Sequence, residues 1–217
     1  MTKKTASADS IPAVTLDLVT ERGWRGLSLA EIADRAHVPL PDVVAVFPGK
    51  AAILDAYLRS IDARMVAGEL DLTDPARERL FEVLMRRFEA MAPRRSALAT
   101  ILRESGDDPL LLVHGAGRLA ATMALALETA GLSSSGMKGV IRIKGLAAAY
   151  LYALRAFIRD DSADLGATMA ALDRALGRID TLARLIFAGR RSKEDAHEDE
   201  SAPDTHTSGQ QGTPASH

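Results

Sequence analysis

Residues that could carry covalent or metal chemistry are few in this 217-residue chain, and their spacing narrows them further. There is no cysteine. That excludes disulfides, thiolate metal sites and thiol nucleophiles, and it fits a reducing cytoplasm. Of the five histidines, His197, His206 and His217 stand in a polar C-terminal stretch without metal-ligand spacing. His114 alone lies mid-body, where it could hydrogen-bond a carbonyl beside an apolar pocket. Asp107 and Asp108 precede it and could face the same site, although capping a helix that starts at Pro109 explains both. Gly115-x-Gly117-x-x-Ala120, after the apolar run Leu110–Val113, has the outline of a dinucleotide-binding turn. Such a turn needs a βαβ unit and an acidic residue about twenty positions on. After Glu128 no carboxylate follows until Asp160, and Leu110, Val113, Gly117, Met123 and Leu127 fit one long helix. No Ser/His/Asp order or Gly-framed carboxylate pair suggests catalysis. The expectation is a protein that is not an enzyme, with no catalytic residue, cofactor or metal site.

Recognition is the other chemistry on offer, and it concentrates in Leu27–Leu54. Ser28 followed by Glu31 is a capping box, and Leu29, Ile32 and Ala33 give the helix behind it an apolar stripe. Ala36-His37-Val38 makes a turn. Pro39 or Pro41 opens the next helix, where a missing N–H costs little, and Val43, Val46 and Phe47 return to the same core. Pro48-Gly49 breaks that helix. Lys50 begins a longer one carrying Ile53, Leu54, Tyr57, Leu58 and Ile61 at helical spacing. Short helix, turn, helix is the geometry that seats a second helix in a DNA major groove.

These segments need a scaffold, and the breakers outline one. A helix over about 10–22 stops at Gly23, and the Lys50 helix runs to about Ala67. Asp74-Pro75 caps a helix ending at Pro93, and a short helix follows with Leu98, Ile101 and Leu102. Asp107-Asp108-Pro109 starts the next, which ends before Gly131–Gly136. Two long helices close the body at about 137–159 and 163–188. Residues 1–9 are expected to be a disordered polar arm. Beyond Gly189 the chain has almost no large apolar side chain and carries three basic against six acidic groups, a net −3. Such a segment cannot offset its ordering entropy, so 189–217 is expected to be a disordered acidic tail. The formal charge of −2 then leaves a nearly neutral body. No apolar run reaches the ~18 residues of a membrane span, and the N-terminus lacks a signal peptide's apolar core.

The order Gly23, Ser28, Ile32-Ala33, Ala36-x-Val38, Phe47 and Lys50 resembles the N-terminal motif of the TetR family of one-component regulators. The resemblance implies an all-α, TetR-like fold: a three-helix helix-turn-helix DNA-binding domain at 10–49, then a helical ligand-binding and dimerisation domain at 50–188. It implies a cytoplasmic homodimeric repressor on double-stranded, palindromic operator DNA. A small apolar ligand would separate the two heads by moving the helix that begins at Lys50. Arg25, Ser28 and Lys50 are the phosphate candidates, and Leu40, Pro41, Asp42 and Val44 occupy the recognition helix. That helix departs from the family: it offers no hydrogen-bond donor, and Val44 stands where a phosphate-binding Tyr is usual. Residues 1–70 hold eight basic and nine acidic side chains, net −1, without the basic footprint of DNA-binding heads.

The resemblance also places the ligand among the middle helices, with Phe88, Met91, Ile101, Leu102, His114, Met123, Leu127 and Tyr150 as candidates; Met and aromatic side chains make an adaptable apolar lining. Arg103, Thr122 and Tyr152 could help orient it. The small residues of the last two helices, Ala149 and Ala171 among them, suit a close dimer interface. A second resemblance, over Phe157–Leu176, is to the lipid-binding accessory protein of ubiquinone biosynthesis. It rests on Asp160 or Asp161, Ser162, Asp164, Thr168 and Leu172-Asp173-Arg174. It implies the alternative of a TetR-fold lipid or isoprenoid carrier that has lost DNA binding. A helix start at Ser162 or Asp161 accounts for the same residues.

Overall fold

The computed structural model describes residues 2–106 and 109–181, with side chains from residue 10 onward apart from Leu110. The described residues up to 179 belong to the first of two units. The expected acidic tail, its three histidines, and the Asp107–Asp108 pair lie outside the described residues. Among those described, every regular element is helical: α1 Thr2–Arg22, α2 Leu29–Arg35, α3 Leu40–Val46, α4 Lys50–Val66, α5 Ala76–Met91, α6 Arg95–Glu104, α7 Pro109–Thr129 and α8 Gly136–Phe157. Residues 166–181 make a further helix, α9. The Gly115–Ala120 stretch lies inside α7, so the dinucleotide turn has no strand to follow.

Sequence and structure part at the N-terminus. The backbone of residues 2–9, expected as an unstructured arm, continues α1. The stretch contains no glycine or proline, and extending an existing helix costs far less than nucleating one.

Two apolar cores divide the first unit. One gathers Ile11, Leu16, Leu18 and Val19 of α1, Trp24, Leu27, Ile32, Ala33, Val43, Phe47, Ile53 of α4, and Ala97 and Ile101 of α6. The other holds Ile61 and Met65 of α4 with Phe88, Met91, Met123, Leu127, Tyr150, Phe157 and Leu172. Leu54 and Tyr57 pack against both. The two cores meet within α4 rather than at its start, and the N-terminal core also includes Ala97 and Ile101 of α6.

Candidate nucleic-acid interface and ligand pocket

The N-terminal head is built as the spacing requires. Ser28 Oγ accepts from the Glu31 N–H at 3.3 Å, and Glu31 Oε2 accepts from the Ser28 N–H at 2.9 Å, which closes the capping box. The α2–α3 turn uses His37 at φ 54, a left-handed conformation in which histidine is less disfavoured than most residues. Its N–H donates to Asp34 O (3.1 Å) and the Val38 N–H to Ala33 O (3.0 Å), the bond pair of a Schellman stop. Val43 and Phe47 face the core. What α3 shows to solvent is mainly apolar, beside a half-buried Asp42: Leu40 is 39%, Val44 45% and Val46 51% exposed.

The candidate phosphate ligands are engaged within the protein. Ser28 Oγ also donates to Glu31 Oε2 at 2.8 Å. Lys50 Nζ donates to Trp24 O (2.7 Å) and Arg25 O (3.3 Å) and lies 5.1 Å from the Trp24 ring centroid. Burial pushes its ammonium below the ordinary lysine range, against the pull of Glu31 and Glu104. Arg25 Nε donates to Glu104 O at 2.9 Å. Arg22 pairs with Glu31 and Arg35 with Glu21, both at 2.8 Å. Such exposed pairs add little stability, but they lower the charge available to phosphates.

A clamp that the sequence reading missed joins this head to α6. Glu104 Oε2 accepts from the backbone N–H groups of Trp24 (2.8 Å) and Arg25 (3.0 Å). Those amides, Arg25's first and then Trp24's, hold its carboxyl below the ordinary glutamate range. The approach depends on Gly23 at φ +83, where a Cβ would lie 2.9 Å from Glu104 Oε1. Separations of about 80 residues leave no local sequence signal.

A cavity of about 410 Å³ opens between α4, α5, α6, α7 and α8. Of the eight candidate ligand residues, Met91, Ile101, Leu102, His114 and Tyr150 line it, as do Leu98, Leu154 and Thr122. Phe88, Met123 and Leu127 do not: they are buried in the core, with the Phe88 ring stacked on Tyr150 at 5.0 Å and tilted 41° against Phe157 at 5.2 Å. Composition alone does not separate a cavity wall from a filled core. Arg103 donates instead to Thr100 Oγ1 at 3.1 Å, and Tyr152 lies under Arg178.

The polar side of the cavity gathers two arginines and two aspartates. Asp62, 5% exposed, receives Arg87, 4% exposed, through Oδ1. Its Oδ2 receives Arg118 and, at 3.3 Å, Thr122 Oγ1. Arg87 Nε donates to Tyr150 Oη at 3.2 Å. Asp55 Oδ2 meets His114 Nε2 at 3.0 Å, and its Oδ1 lies 3.9 Å from Arg118 Nε. Hints existed in the sequence: His114, Arg118 and Thr122 repeat at four-residue spacing on α7, and Asp55 and Asp62 share a face of α4. The pocket thus has one polar pole and otherwise apolar walls, the usual make-up of a small-molecule site.

The Phe157–Leu176 motif serves structure at each described position. Asp160, rather than Asp161, anchors the turn: its carboxylate takes the Ser162 and Thr168 hydroxyls and both their backbone N–H groups. Leu165 adopts φ 55 and α9 begins at 166, three residues later than expected. Asp161 pairs with Arg95 at 3.0 Å and Asp173 with Arg77 at 2.6 Å.

No protein-family model matches the chain, and no curated protein does. Solved structures do. One is a TetR transcriptional regulator from Nitrosomonas europaea ATCC 19718, 23% identical, with a TM-score of 0.66, covering 79% of this chain and 96% of that one. Another is a TetR transcriptional regulator from Rhodococcus sp. RHA1, 17% identical, with a TM-score of 0.58, covering 80% of this chain and 94% of its own. Likeness at that identity speaks for architecture. With its capped helix-turn-helix head on a helical body that encloses a pocket, this chain has the TetR fold.

Proposed function

We propose that this protein is a TetR-type transcriptional repressor, a homodimer on palindromic double-stranded DNA, whose DNA affinity changes when a small apolar ligand enters the α4–α8 cavity. One observation carries the reading. Ile101 and Ser105 of the cavity wall flank Glu104, the residue whose carboxylate holds the Trp24–Arg25 backbone of the head. A ligand that displaces the end of α6 would shift that anchor, and Leu54 of α4 both lines the cavity and packs against the head core. Differential binding to two head positions is what any such switch requires.

The dimer face in this reading is the outward row of α8, Met137, Ile141, Ala148 and Tyr152, with Ala167 and Ala170 of α9. Ala149 and Ala171, first candidates for that face, are 4% and 3% exposed within one protomer and so point inward. Ala148→Arg should give monomers by light scattering, since an unpaired charge in an apolar seam is costly.

A second reading, the lipid or isoprenoid carrier without DNA binding, is favoured by the apolar outward face of α3 and by the internal pairing of Arg22, Arg35 and Lys50. Selection from a random duplex library at low salt separates the two. The repressor should enrich a palindrome, with a salt slope of only ~2–4 phosphates per head. No enrichment at micromolar protein, together with stabilisation by apolar compounds, would move the assignment to the carrier.

A further inference from the structure

Leu40, Pro41, Val44 and Ala45 form one strip along the exposed side of α3, with Leu40 above Val44 and Pro41 above Ala45 at one-turn spacing. Val43 and Phe47 are buried and fix that strip outward. No α3 side chain can donate a hydrogen bond, and the one polar side chain, Asp42, is half-buried. α3 is the second helix of the helix-turn-helix, and the N-terminal residues of such a helix meet base edges in the major groove. Arginine, lysine, asparagine and glutamine read those edges through their nitrogens and oxygens. α3 carries none of the four. The thymine C5-methyl is the apolar group on the same groove floor, and apolar side chains contact it. The charge beside the strip also suits a groove walled by phosphates. α4 begins at Lys50, just past α3, behind a Gly49 cap that makes no side-chain hydrogen bond, and no acid stands in its first turn. The positive end of that helix favours a backbone phosphate.

We propose that Leu40 and Val44 read thymine methyl groups in the operator, so that sequence is chosen by apolar contact rather than by hydrogen bonds to base edges. This rests on the repressor reading and deepens it. The face that lacks donors is then the specificity element.

The probe is the duplex enriched from the random library, remade with deoxyuridine in place of thymidine one position at a time. That change removes a single methyl and keeps every hydrogen-bonding group. Affinity for the full chain is read by fluorescence anisotropy at low salt. At one or more thymines of each half-site, affinity should fall about fourfold per methyl, the effect of uncovering one methyl-sized group. Deoxyuridine in the flanks should change nothing. Leu40→Ala/Val44→Ala trims exposed side chains and leaves the core intact. In it, thymine and uracil duplexes should bind within about twofold of each other, with the salt slope unchanged because phosphate contacts are untouched. If the double variant does not fold by circular dichroism, the single variants replace it, and each should lose the penalty at its own thymines only. Tolerance of deoxyuridine at every position overturns the proposal and leaves the repressor standing. So does a deoxyuridine penalty that is equal in wild type and variants. If the selection enriches no duplex, the repressor reading falls and takes this proposal with it.

Discussion

Replacing Asp160 with Asn should remove an acid-sensitive fastening from the corner between α8 and α9. Oδ1 accepts the Ser162 N–H at 3.2 Å and its hydroxyl; Oδ2 accepts the Thr168 N–H at 2.8 Å and its hydroxyl at 2.7 Å. Burial acts to raise the carboxyl, but the four hydrogen bonds outweigh it and bring it from 3.8 down to about 2. A folded-state value below the unfolded one stabilises the protein above the unfolded value, and the gain is lost as pH falls through the folded value. At 1.36 kcal/mol per unit, the charged Asp160 contributes about 2 kcal/mol at neutral pH, lost between about pH 4 and pH 2. Asp160→Asn, which presents an amide to donors, should therefore lower stability at pH 7 by about that amount, or ~4–8 °C in melting temperature for a domain of this size. Urea unfolding followed by circular dichroism at several pH values is the assay. Wild type and variant should converge as the pH drops, because wild type alone has this proton to gain. Other carboxylates held low, such as Glu104 and Glu31, titrate in both proteins and cancel. A gap that stays constant from pH 7 to pH 2.5 would refute the argument.

Asp62→Ala should cost about 3–5 kcal/mol in urea unfolding, because it leaves Arg87 buried with an uncompensated charge; a loss under 1 kcal/mol would mean that the guanidinium finds another partner. Glu104→Gln should speed hydrogen exchange at the Trp24 and Arg25 amides by roughly tenfold, through weaker acceptance by a neutral amide, without changing exchange in α8; unchanged protection at both amides would show that the clamp is not what holds the loop.

The parts of the fold written in local chemistry were legible. Ser28 and Glu31, three residues apart, fix the start of α2, and Pro48-Gly49 fixes the break before α4. The site was legible only by residue type. Met91, Ile101, Leu102, His114 and Tyr150 reach the cavity, while Phe88, Met123 and Leu127 fill the core behind it, and which side an apolar residue takes depends on how five helices close. Arg87, Arg118, Asp55 and Asp62 find each other across three helices, so no short-range pattern announces their pairing. Lys50 sits where the motif puts it, yet its ammonium turns back to the Trp24 and Arg25 carbonyls, a choice made by the α1–α2 loop and Gly23. One helical position separates outward Ala148 from inward Ala149, finer than composition resolves.

The most direct test of a ligand-switched DNA-binding protein is fluorescence anisotropy on the enriched duplex, titrated with and without a saturating amount of the compound that most raises the melting temperature. Coupling of this kind is typically ~5–150-fold. DNA affinity should fall by a factor in that range, DNA should weaken ligand binding by the same factor, and Glu104→Gln should reduce the factor. DNA affinity that is identical with and without bound ligand would contradict the ligand-switched reading.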